Sequence, residues 1–83
     1  ERFATTMTVR VLGTEFSGVT RDLSASGLSF TTETTFPDGS ALDLMITGAE
    51  GEIIVCEAVV THCEPAGALT SVGVRLLRTA ELQ

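Results

Sequence analysis

Val19-Thr20-Arg21-Asp22-Leu23-Ser24-Ala25-Ser26-Gly27-Leu28-Ser29-Phe30 carries the reading of the fold. Apolar side chains share a face on either side of its centre, Val19 with Leu23 before and Leu28 with Phe30 after, and this period of two belongs to half-buried strands. Between them, Asp22 through Gly27 gather a carboxylate, two hydroxyls and a glycine. That is the chemistry of a strand-to-strand corner, in which Asp and Ser bond to nearby backbone and Gly supplies a positive φ. The same six residues also suit a loop that presents acceptors, donors and bare backbone to a flat polar ligand, because glycine has no Cβ to hold a ligand away. By parity Arg21 falls on the face of Val19 and Leu23, which calls for a bulge or a place at a rim.

Upstream, residues 6–12 alternate, with Met7, Val9 and Val11 on one face and Thr8 and Arg10 on the other. A second strand is expected over 16–23 and a third over 28–32. Residues 33–40 read as a loop in which Pro37 fixes φ, Asp38 folds onto its backbone and Gly39 takes the left-handed position. Leu42, Leu44 and Ile46 mark a fourth strand, ended by the hairpin loop Gly48-Ala49-Glu50-Gly51. A fifth strand is expected over 52–63, with Ile54, Cys56, Ala58 and Val60 on one face. Its other face is apolar too, at Ile53, Val55 and Val59, and is expected to lie under a C-terminal helix or in a dimer contact, the helix being favoured. After a turn at 64–67, a sixth strand is expected over 69–78 with Val72, Val74 and Leu76 inward, and residues 79–83 read as the start of a helix. Six strands joined by short turns predict an all-β fold, a small closed antiparallel barrel or a tight sandwich. Closure removes exposed edges most economically in so short a chain.

Eighty-three residues, 43% of them apolar, suit one small folded domain. We read residues 1–83 as a single domain excised from a longer chain, with no signal peptide and no segment that inserts in a membrane. Five arginines, no lysine and eleven acids give a net charge of −6. A broad basic face for a nucleic-acid polymer cannot be assembled from that inventory. A small anion gripped by two or three guanidinium forks is still compatible with it. Cys56 and Cys63 are seven residues apart. In one straight strand they would point to opposite faces, roughly 23 Å apart, beyond the reach of a disulfide. With no other cysteine, a cytoplasmic, reducing location is expected.

Asp22-Leu23-Ser24-Ala25-Ser26-Gly27 fits the D-x-S-x-x-G loop of PilZ domains, bacterial receptors for cyclic di-GMP, and the chain resembles that family over essentially its whole length. Ser71-Val72-Gly73-Val74-Arg75-Leu76 is similar to the Gly-Val-Arg-hydrophobic run of the family's last barrel strand. The family's other signature, R-x-x-x-R, is represented by Arg2 alone, since its partner would lie upstream of Glu1 and Arg10 is eight residues away. The resemblance implies a six-stranded, PilZ-like split barrel that binds cyclic di-GMP through Arg2, Asp22, Ser24 and Gly27. It implies that Arg2 grips a phosphate or stacks on a base and that Asp22 accepts from guanine N1 and N2. Ser24 would bond base or phosphate, and Gly27 would let the backbone approach. In solution-signalling terms, the expected role is a cyclic di-GMP sensor that rearranges attached domains or an effector partner.

The alternative is a barrel of the same fold that binds no nucleotide and serves as a protein-interaction module, a reading favoured by the incomplete arginine pair and the charge of −6. Enzymatic chemistry is not expected: one histidine stands without a matched nucleophile or an orienting third group. His62-Cys63-Glu64 contains three potential metal ligands, but neighbours in a strand point to opposite faces and no second cluster completes a set. We expect no metal and no cofactor. Arg21, Arg75 and Arg78 are read as surface charges, and Ser26 as a residue that satisfies backbone.

Overall fold

The computed structural model describes residues 6–24 and 26–82. Six strands follow in order: β1 (Thr8–Val11), β2 (Ser17–Leu23), β3 (Gly27–Thr32), β4 (Ala41–Thr47), β5 (Ile53–Ala66) and β6 (Leu69–Leu82). All pair antiparallel, and the sheet closes on itself in the order β1-β2-β3-β6-β5-β4. The expected barrel is therefore realised and the sandwich is not. Its lumen is filled by alternating residues of every strand, with Val9, Phe30, Leu44, Cys56, Val60 and Val72 among the most buried. Each large side chain removed from water here stabilises the fold by about 1.5–3 kcal/mol.

The turns follow their chemistry. Gly39 has φ 87°, and the Ser40 N–H and hydroxyl both donate to the Pro37 carbonyl at 3.0 and 2.6 Å. Gly51, φ 88°, closes the β4–β5 hairpin, where the Gly48 N–H donates to the Glu52 carbonyl at 2.8 Å. β1 is shorter than the alternation suggested, and two long strands exceed their expected limits. β5 runs on through Glu64, Pro65 and Ala66 and turns only at Gly67, φ 67°. The β4 ladder ends at Ala41↔Val59, so Pro65 lies beyond it, where a missing N–H is tolerated. β6 continues to Leu82, paired with Ile53, so the tail expected to open a helix is strand. Residues 53–56 of β5 supply it with ladder partners, and that pairing decides the conformation of the tail.

Two expectations about faces are overturned by bulges. In β2 the register slips between Thr20 and Asp22 and leaves Arg21 as the extra residue. Thr20, opposite Phe30, is therefore the buried one at 7% exposure, whereas Val19 is 44% exposed and does not share the inner face with Leu23. In β5 the register slips between Val60 and His62, with Thr61 extra. Cys63 consequently packs against the core on the same side as Cys56 instead of opposite it, and its thiol donates to the Phe36 carbonyl at 3.2 Å. Both cysteines are free.

Candidate functional site

The two bulges define the site. Across the outer surface, Asp22 pairs with Ser29, Ser29 with Gly73, and Gly73 with His62, a single row over β2, β3, β6 and β5. Side chains alternate along a strand, so with Thr20 inward an unbroken β2 would turn Asp22 into the lumen. The extra Arg21 turns Asp22 outward and brings Leu23 in to pack against the core. At the other end the same arithmetic applies: with Val60 inward, Thr61 as the extra residue turns His62 outward and Cys63 in. One residue gained on each strand thus places a carboxylate and an imidazole on one face.

Between the ends of the row lies a groove of about 470 Å³, lined by Asp22, Leu23, Ser24, Gly27, Leu28, Ser29, Thr61, His62, Gly73 and Val74. Its size falls in the range of small-molecule sites, about 300–1,000 Å³. A smaller groove of about 260 Å³ near the other end of β2 and β3 is bordered by Glu15 and Glu33, a poor seat for an anion.

The corner from Ser24 to Gly27 is pinned on both sides. The Ser24 N–H donates to the Gly27 carbonyl at 2.9 Å and the Ser24 hydroxyl donates to the same oxygen at 3.2 Å. The Leu76 N–H donates to the Ser26 carbonyl at 2.9 Å, so Ser26 ties the loop to β6 through its backbone. Gly27 does not take a positive φ, contrary to the corner chemistry. It is required for space: a Cβ there would stand 2.6 Å from the Val74 carbonyl oxygen. The close approach it allows in the free protein is to β6, opposite Arg75.

Gly73 performs a second spatial task. A Cβ at this position would run into the His62 ring, which lies across the bare glycine. The Thr61 hydroxyl donates to the Gly73 carbonyl at 3.1 Å and contacts His62 Nδ1 at 3.2 Å. Of the four sequence-predicted site residues, Asp22, Ser24 and Gly27 meet in this groove, with Asp22 and Ser24 exposed; Arg2 lies outside the described residues. Sequence reasoning missed Ser29, Thr61, His62 and Gly73. His62 is considered in the sequence only for catalysis and metal binding, and strict alternation from Val60 would turn it inward; the slip at Thr61 is what brings it to this face.

Among the described residues no group of three His, Cys, Asp or Glu side chains could hold a metal ion, and no helix is long and apolar enough to cross a membrane. The family model described as PilZ domain matches residues 1–83, the whole chain. No curated protein and no solved structure gave a significant match.

Proposed function

The chain belongs to the PilZ domain family, and from that premise we propose that it is a non-catalytic sensor module whose ligand is cyclic di-GMP, working as one cytoplasmic domain of a longer signalling protein. The observation that carries this reading is the position of Asp22: the acid of the D-x-S-x-x-G loop faces outward into a groove of ligand size beside Ser24 and Gly27. In this reading the Asp22 carboxylate accepts from the N1 and N2 donors of one guanine. The Ser24 hydroxyl exchanges its 3.2 Å bond to the Gly27 carbonyl for one to base or phosphate. A weak internal bond makes that exchange inexpensive.

Arg2 supplies a cation for the acceptors of the ligand. Its fork meets the N7 and O6 acceptors of guanine bidentately, or a phosphate. The Met7 N–H donates to Thr20 Oγ1 and the Thr20 N–H to the Met7 carbonyl, both at 2.9 Å, so the chain enters β1 two residues along β2 from Asp22. Five residues from Met7 back to Arg2 reach at most about 17 Å when extended, enough to bring the guanidinium to the groove. Engagement of that segment by ligand is the event an attached domain or effector would feel.

Isothermal titration of the full-length protein with cyclic di-GMP tests the proposal. Heat with micromolar affinity is expected, and no heat at ligand concentrations on the order of tens of micromolar rejects it. That negative result would favour the second reading, a barrel that binds protein and no nucleotide.

A further inference from the structure

We propose that Thr61 fixes the neutral His62 imidazole in its Nδ1–H form, leaving Nε2 as a second acceptor for a purine N–H donor in the groove. The ligand half of this inference rests on the nucleotide reading above; the tautomer half does not.

The argument is one of counting protons. A threonine hydroxyl has a single hydrogen and two lone pairs. Thr61 uses that hydrogen toward the Gly73 carbonyl at 3.1 Å, and the same oxygen stands 3.2 Å from His62 Nδ1. Both contacts are hydrogen bonds only when Nδ1 carries the ring proton and donates to the Thr61 oxygen. In the other tautomer Nδ1 would need the Thr61 hydrogen, and the bond from the Thr61 hydroxyl to the Gly73 carbonyl would be lost. The bond made by one ring nitrogen decides the role of the other, so Nε2 is the acceptor. The bulge makes this arrangement possible: as the extra residue of β5, Thr61 stands beside His62 against β6.

The groove then has two acceptors, the Asp22 carboxylate from β2 and His62 Nε2, whose ring lies over Gly73 of β6, two strand spacings or roughly 10 Å across the sheet. Such a spacing suits a ligand with two donor-bearing edges, as a dinucleotide of two guanines provides, better than a mononucleotide. Gly73 is essential to the arrangement because a side chain there would displace the ring.

The test uses the full-length protein labelled with nitrogen-15. Imidazole nitrogen shifts and two-bond proton correlations, recorded without ligand at alkaline pH where the ring is neutral, report the tautomer directly. Nδ1–H is expected in the wild type and in Thr61→Ser, and its loss in Thr61→Val; Nε2–H in the wild type overturns the assignment. Calorimetry with cyclic di-GMP then reads the ligand half. Thr61→Val and His62→Ala should each weaken binding by about three- to tenfold, the scale of one neutral hydrogen bond. The double variant should be no weaker than His62→Ala alone, and Thr61→Ser should bind as the wild type. Losses that simply add, or unchanged affinity in His62→Ala, overturn the role of Nε2. If the wild type takes up no cyclic di-GMP, the nucleotide reading and the Nε2 role fall together, while the spectrum still decides the tautomer.

Discussion

Asp22 and His62 occupy the two ends of one register line across four strands, and each faces outward because the residue before it is the extra member of a bulge. Both bulges lie in ladders of the closed sheet. Their common effect is to move a polar side chain out of the lumen and an apolar neighbour, Leu23 or Cys63, against the core. Bulges recur beside functional sites for this reason.

Replacing Asp22 by Asn keeps the size of the side chain and removes its charge. With Asp22 exposed, the barrel should stay folded. Affinity for cyclic di-GMP should fall about 10- to 100-fold, the scale of losing one charge-assisted contact. Calorimetry measures the affinity, and circular dichroism of the same sample verifies the fold.

The two groove glycines should respond differently to alanine. At Gly27 the new methyl meets the Val74 carbonyl, which belongs to the β3–β6 ladder and has little freedom to yield. Gly27→Ala should cost about 1–3 kcal/mol, as overpacking does. At Gly73 the obstacle is the His62 ring, the end of an exposed side chain that can swing aside. Gly73→Ala should therefore denature in urea close to the wild type while losing ligand affinity. Equal destabilisation of both variants would contradict this contrast.

Thr20 is buried and its Oγ1 accepts the Met7 N–H at 2.9 Å. Valine preserves its shape and leaves that N–H without its acceptor, so Thr20→Val should cost about 1–3 kcal/mol. Val19→Thr, on the exposed side of the same strand, should change stability by less than about 0.5 kcal/mol. Urea denaturation of the pair inverts the outcome that simple alternation of Val19 and Leu23 would give.

Burial pushes the Cys56 thiol above its ordinary value of 9.0. An unfolded chain would begin to release this proton near pH 9, while the folded barrel retains it. Above that pH the unfolded state binds fewer protons, so stability falls as pH rises. The contribution is whole below the unfolded value and is lost toward the higher folded one. Denaturation midpoints from about pH 8 to about pH 10.5 should decline more steeply for the wild type than for Cys56→Ala.

Much of the architecture was legible because alternation is a strong signal. Val9, Val11, Leu28, Phe30, Leu44, Ile46, Val72 and Val74 all fall inside as their parity indicates. Parity failed where a strand carries an extra residue, since nothing in the letters Val60-Thr61-His62 states that the ladder slips there. In β2 the parity of Arg21 does signal a bulge but not which neighbour turns outward, so Val19 is expected inside; in β5 the slip is silent and Cys63 is expected opposite Cys56. The tail failed for another reason: residues 79–82 are strand because β5 offers them partners at 53–56, a contact between distant segments. In the site, the loop motif identified Asp22, Ser24 and Gly27 by their local order, whereas Ser29, Gly73 and His62 come together only through the register of three further strands.

The paired bulges also separate two kinds of genetic change. Exchanging one amino acid for another at the groove alters what the surface can recognise and leaves the sheet's count intact. Dropping a single codon at Arg21 or Thr61 would shift the phase of the strand, carrying an acid or an imidazole into the oily centre and expelling the apolar residue that belongs there. For this domain, then, length is under tighter physical constraint than composition at two positions whose side chains are both exposed.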